Sequence, residues 1–164
     1  MTTREDWEAR VATLWAGSDE LAEGELVSRM EALAAELGPG DAVAAYERGS
    51  AWDSTGYSDR AVPLYRQALE LGLDPDRRRQ AVIQLASSLR NIGGANESVA
   101  LLQAERKLGS DELDDALAAF LALALLDTGR EREAVSVALG ALSRHLTRYQ
   151  RSVASYAGEL TDGR

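Results

Sequence analysis

Residues 49–68, GSAWDSTGYSDRAVPLYRQA, decide the fold. Small and large residues alternate there at helical spacing: Gly49, Trp52, Gly56, Ala61, Tyr65 and Ala68. Gly56 separates two amphipathic runs, Asp41 to Thr55 and Ser58 to Leu71, where the chain has to turn. Glycine reaches left-handed backbone angles without a Cβ penalty, so it ends the first run as a helix. Ser58 and Asp59 are placed to accept the free amides at the start of the second. Gly49 and Ala61, mid-helix, let the two backbones approach, while Trp52 and Tyr65 fill the space beside them. That pattern specifies an antiparallel helix pair.

Two echoes follow. Leu85, Ala86, Leu89, Gly93, Ser98 and Leu102 repeat the arrangement, with Glu105 in place of the last small residue. Leu121, Ala122, Leu125, Gly129, Ala134 and Ala141 repeat it again, with Ala138 where a large residue is expected. The turn glycines lie 37 (93 minus 56) and 36 (129 minus 93) residues apart. With Ala42, Arg79 and Asp115 as first positions, this register resembles the tetratricopeptide repeat, a 34-residue helix–turn–helix unit. The segments AVPLYRQALELG (61–72) and QLASSLRNIG (84–93) resemble a bacterial subfamily of small three-repeat tetratricopeptide proteins. The resemblance implies an all-α, right-handed superhelix of antiparallel helix pairs and a protein-interaction role. It implies no catalytic residues.

The flanks read as caps. Trp7, Val11, Leu14 and Trp15 share one side of a helix over residues 4–15. Gly17-Ser18 breaks it, Ser18 is placed to cap a second helix, and Gly38-Pro39-Gly40 stops that one. Arg10 and Arg29 fall where tight packing needs small residues, so 1–38 reads as an amino-terminal capping hairpin, because the ends of a solenoid need an atypical outer face. Repeats one to three are expected over 39–72, 73–109 and 110–146 within a single domain. Tyr149, Val153, Tyr156 and Leu160 form one stripe on a capping helix over 147–160, expected to cover the open edge of repeat three. Residues 161–164 are expected to fray.

Composition excludes much else. There is no cysteine, hence no disulfide, thiol nucleophile or cysteine metal site. The longest apolar run, Ala116 to Leu126, is far short of the ~20 residues a membrane span needs. The charged amino terminus lacks the apolar segment of a signal peptide, and a cytoplasmic location is the expectation. The net charge of −9 is uneven: residues 1–48 carry eleven acids and four bases, 49–110 seven and eight, and 111–164 nine and six. An acidic chain with only one short basic cluster, Arg77–Arg79, is a poor match for nucleic acid.

No constellation for catalysis is legible. His145 is the sole histidine and sits beside Arg144 and Arg148 near a helix end, where a surface role is expected. Asp111, Glu112, Asp114 and Asp115 open a helix, where acids compensate its dipole, and need no metal to explain them. No catalytic, cofactor-binding or metal-binding residue is assigned, and no cofactor is expected. Binding is the remaining role, because the resembled fold presents a concave groove lined by first-helix positions. In this register repeat one offers Tyr46, Ser50 and Asp53, with Val43 and Ser54 beside them. Repeat two offers Gln80, Gln84, Ser87, Arg90 and Asn91, with Ile83. Repeat three offers Phe120, Leu123, Leu126 and Asp127, with Ala116 and Ala119. Arg90 is the only base in the set, unlike the versions of the fold that clamp a terminal carboxylate with several.

The function expected from these residues is non-catalytic binding of a protein or peptide segment in the groove. A homodimer whose apolar groove in repeat three is occluded is the alternative. A small-molecule sensor or enzyme using the groove as a pocket is the third. The apolar circumference of 116–126 sharpens the choice. Ala119, Leu123 and Leu126 should point into the groove, and either the last helix reaches back over the leucines or a second molecule inserts an apolar edge.

Overall fold

A computed structural model describes residues 3–162, and for Glu23 its backbone alone. The ends of two expected segments, 1–38 and 161–164, therefore lie partly outside the described residues. Among those described there are nine α-helices and no strand. The chain divides into two compact units, Met1–Ala81 and Val82–Arg164.

The first unit starts with α1 (Arg4–Ala16), capped by Thr3, whose hydroxyl accepts the Asp6 amide at 3.2 Å. A 3-10 turn over Ser18–Glu20 follows, so α2 (Glu23–Ala35) begins four residues later than a cap at Ser18 would start it, and Ala22 occupies the cap position without a side-chain bond. Trp7 is buried, and its indole N–H donates to the Leu33 carbonyl at 2.7 Å, which fixes α1 on α2. Trp7, Val11, Leu26, Val27 and Met30 form a core that extends to Val43 and Ala51 of α3 (Ala42–Ser54). Asp41 caps α3 by accepting the Ala44 amide at 2.9 Å. Burial pushes its carboxyl up, but the Ala44 amide, the Arg4 guanidinium and the Val43 amide together hold it below the usual carboxylate range.

Helices α3 and α4 (Ser58–Leu71) pack as the pair read from the sequence. Their close approach is set by Gly49: a Cβ there would lie 2.9 Å from Tyr65 Cδ1 and 3.4 Å from Leu64 Cβ. Tyr65, Ala61 and Ala68 are fully buried along the seam. Ser58 is the first residue of α4 rather than its cap; its hydroxyl donates to Asp53 across the turn at 3.5 Å, and Tyr57 holds the cap position without a side-chain bond. Trp52 is half-buried and faces the core formed with α1 and α2 instead of lying between α3 and α4. Its ring meets Tyr57 edge-on at 5.5 Å and carries the Arg60 guanidinium 4.7 Å above it.

The division between units falls within α5 (Pro75–Asn91). In the second unit the rest of α5 is followed by α6 (Ala95–Arg106), α7 (Asp114–Asp127), α8 (Glu131–Ser143) and α9 (Gln150–Glu159). Helix α7 packs on α6 and α8, and α9 on α8. Ile83, Ala86, Val99, Leu102, Leu117, Leu121, Leu125 and Ala134 form the core. Glu105 is buried at the position where the register expects a small residue.

Three turns share one hydrogen-bond pattern. Gly56, Gly93 and Gly129 have φ of 86°, 89° and 74°. The following residue bonds back five positions each time: Tyr57 to Trp52 at 2.9 Å, Gly94 to Leu89 at 2.7 Å, Arg130 to Leu125 at 3.0 Å. The glycine amides bond back three positions, to Asp53, Arg90 and Leu126. This is the Schellman motif, which needs a left-handed residue between the two bonds. Its recurrence at the glycine spacing makes the helix pairs a true internal repeat.

Candidate functional site

In the first unit, four candidate groove residues join one polar network. The Tyr46 hydroxyl donates to Gln80 Oε1 at 3.0 Å, and the Tyr46 ring lies 6.2 Å from that of Tyr65. The Tyr65 hydroxyl reaches Asp53 Oδ2 at 3.3 Å and Ser50 Oγ at 3.5 Å. Burial pushes the Tyr65 phenol far up, and the Asp53 charge adds to it, so this hydroxyl stays a donor. Tyr46 and Ser50 are buried, Asp53 is half-buried and Gln80 is exposed. Tyr46 thus builds the wall of this surface with its ring and leaves little of itself for a ligand. Val43 is a core residue.

In the second unit, Gln84, Ser87 and Arg90 are half-buried on α5 and Asn91 is exposed. Ile83 is core. Arg90 Nε donates to Asp127 Oδ2 at 2.6 Å, which joins α5 to the end of α7. The one base assigned to the groove already has a carboxylate partner, so it does not offer a bare cationic clamp. On α7, Phe120 is half-buried, while Leu123 is 42% and Leu126 51% exposed. Helix α9 does not cover them. It packs on α8, burying Ala157 and half-burying Val153 and Leu160, while Tyr149 and Tyr156 of the same stripe stand in solvent.

Elsewhere several titratable groups of the described residues pair near the surface. Arg144 and His145 both meet Asp115, the latter at 2.6 Å, and the Arg144 bond above all holds the Asp115 carboxyl below its ordinary range. All three lie near the surface. Asp114 accepts from the Ser110 hydroxyl and the Asp111 amide, which accounts for the acidic start of α7. No group of three or more His, Cys, Asp or Glu among the described residues is arranged to hold a metal.

A cleft of about 1030 Å³ in the second unit contains none of the candidate residues. Arg106, Arg130, Arg132 and Arg144 stand around it, over a floor that includes Ser136, Val137 and Gly140. Arg130 donates to Glu133 through Nη2 and Nε at 2.8 and 2.9 Å, and Asp115 meets Arg144, so half of that charge is met internally. The sequence holds no signal for it, because Glu131 and Glu133 alternate with Arg130 and Arg132 and the start of α8 reads as an ordinary mixed-charge first turn.

A family model described as Tetratrico peptide repeat matches residues 42–160. The chain belongs to the tetratricopeptide repeat family. No curated protein matches it. The match begins at Ala42, the first position of repeat one in the register above, and runs through α9. Tetratricopeptide repeats are in general non-catalytic protein-interaction modules. No helix among the described residues is long and apolar enough to cross a membrane.

Proposed function

We propose that this tetratricopeptide repeat protein is a non-catalytic interaction module that binds a protein or peptide segment in the concave groove of its repeats. The observation that carries the reading is the pair Leu123 and Leu126, two large aliphatic side chains standing about half exposed on α7. Covering them is worth roughly 1.5–3 kcal/mol each at full burial, so a segment with apolar anchors gains affinity there. The Arg90–Asp127 pair next along α7 supplies a polar rim. Exposed pairs of this kind add little energy themselves but orient hydrogen bonds.

Selection of peptides from a random display library on the wild-type protein tests it. Enriched peptides should bind the Leu123→Gln/Leu126→Gln variant at least tenfold more weakly, while its far-UV dichroism is unchanged. Arg90→Ala with Asn91→Ala should weaken binding less and leave the melting temperature in place. Peptides indifferent to both pairs, or no enrichment, would show that the groove reading is wrong. The same two leucines favour a second reading, a homodimer occluding them. In that case light scattering finds a dimer for the wild type and a folded monomer for the leucine variant.

A further inference from the structure

Helix α9 carries an unusual surface. Tyr149 is 75% and Tyr156 64% exposed. They are seven residues apart, two turns along one face, about 10 Å by helix rise. Tyr149 begins that helix in the left-handed region, with φ of 66°, where a bulky side chain is rare. Arg148 and Arg151 flank Tyr149, and neither has an ion-pair or hydrogen-bond partner for its side chain among the described residues. Residues 134–158 contain three arginines, one histidine and no acid at all, in a chain of net charge −9. Exposed tyrosine beside unpaired arginine is the composition that dominates binding energy at protein interfaces.

The charges say what can cover this face. Pairing two α9 faces in parallel about a two-fold axis would bring Arg148 and Arg151 against their own copies, a like-charge arrangement that opposes association. The complementary surface must be acidic and must hold a recess for an aromatic ring. The amino-terminal hairpin has both. A groove of about 590 Å³ lies between α1, the turn at 18–20 and α2, with Leu14, Leu21, Ala32 and Leu33 in its lining. Arg10 and Arg29 at its edge are neutralised by Glu36 and Glu25, each at 2.5 Å. Asp19 and Glu20 are exposed and unpaired among the described residues. The surrounding residues 1–48 carry eleven acids against four bases. A tyrosine ring in such a groove buries its apolar body and keeps its hydroxyl at a polar rim.

We infer that a second copy of this chain docks the Tyr149–Tyr156 face of its α9 on the α1–α2 groove, with Arg148 and Arg151 set against Asp19 and Glu20. The interface is heterologous: each copy offers one surface and leaves the other open to a further copy. It is separate from the leucines of α7, so it stands or falls independently of the proposed function.

Sedimentation velocity across a concentration series tests it. The wild type should associate reversibly, and more weakly at high salt, since screening shortens from ~30 Å at 0.01 M to ~8 Å at 0.15 M ionic strength. Arg148→Glu/Arg151→Glu and Asp19→Arg/Glu20→Arg should each raise the self-dissociation constant tenfold or more while staying helical. Mixing the two should restore association, because the reversed tail of one matches the reversed hairpin of the other. Tyr149→Ser/Tyr156→Ser should weaken association in a way neither charge variant rescues. Leu123→Gln/Leu126→Gln should associate like the wild type. A wild type that is monomeric throughout, charge variants that still associate alone, a mixture that does not recover, or loss of association in the leucine variant would each overturn the assignment.

Discussion

Gly49 and Tyr65 allow the closest test of the packing argument. In Gly49→Ala the new Cβ would sit 2.9 Å from Tyr65 Cδ1 and 3.0 Å from Cε1, and Tyr65 is fully buried. Overpacking of this kind costs roughly 1–3 kcal/mol. Alanine is also a better helix former than glycine by about 1 kcal/mol, which offsets part of it. The net expectation is a loss of about 0–2 kcal/mol, a range that alone decides nothing. The informative quantity is the coupling. In a Tyr65→Leu background the ring edge is gone, and Gly49→Ala should then stabilise by about 1 kcal/mol, leaving an interaction energy of roughly 1–3 kcal/mol between the two sites. Gly140→Ala is the control, because a Cβ there meets nothing within 4 Å; it should stabilise by about 0.5–1 kcal/mol. Denaturant unfolding of the four proteins in the cycle measures this. Trp7, Trp15 and Trp52 all lie in the first unit, so tryptophan emission reports that unit alone, while far-UV dichroism reports both. Additive single effects, or Gly49→Ala stabilising the wild type by the full propensity gain, would refute close approach as the reason for glycine.

Three further outcomes follow from the same packing. Trp52→Ala should cost about 2 kcal/mol rather than the 3–5 of a fully buried aromatic, since the ring is half-buried against Tyr57 and Arg60; a cost above 4 or below 0.5 kcal/mol in denaturant unfolding would contradict that placement. Pro63 is exposed inside α4 and withholds an amide from the helix ladder, so Pro63→Ala should raise stability by roughly 1–3 kcal/mol, read as a higher denaturation midpoint. Burial pushes the Glu47 carboxyl up, against the pull of the Trp15 indole at 2.7 Å and of Arg77. The folded state therefore binds that proton more tightly than the unfolded chain. The contribution is fully present below the unfolded pKa and is lost as pH rises through the folded one. Glu47→Gln should be more stable than the wild type at neutral pH, with the difference shrinking on acidification; a constant difference from pH 4 to 7 by tryptophan-detected unfolding would exclude this cause.

The repeat was legible because its determinants are local. A left-handed residue between two helices is nearly always glycine, so Gly56, Gly93 and Gly129 announce the turns, and each carries the same back-bonded pair. Absence of a side chain at Gly49 likewise marks the spot where a neighbouring backbone or ring comes close. Helical periodicity shows that Tyr149, Val153, Tyr156 and Leu160 share a stripe, yet it carries no information on what lies opposite. Only the packing of α9 through Ala157 left Tyr149 and Tyr156 in solvent while Val153 and Leu160 are half-buried. The same holds for Trp52, drawn toward the α1–α2 core, for Tyr46, sealed by Gln80 and Tyr65, and for Arg90, matched by Asp127 37 residues away. Each depends on which long-range neighbour reaches a face first. Composition along the chain sets the acids of the amino-terminal hairpin and the bases around α9, but the groove between α1 and α2 exists only because a 3-10 turn at Ser18–Glu20 delays the start of the second helix.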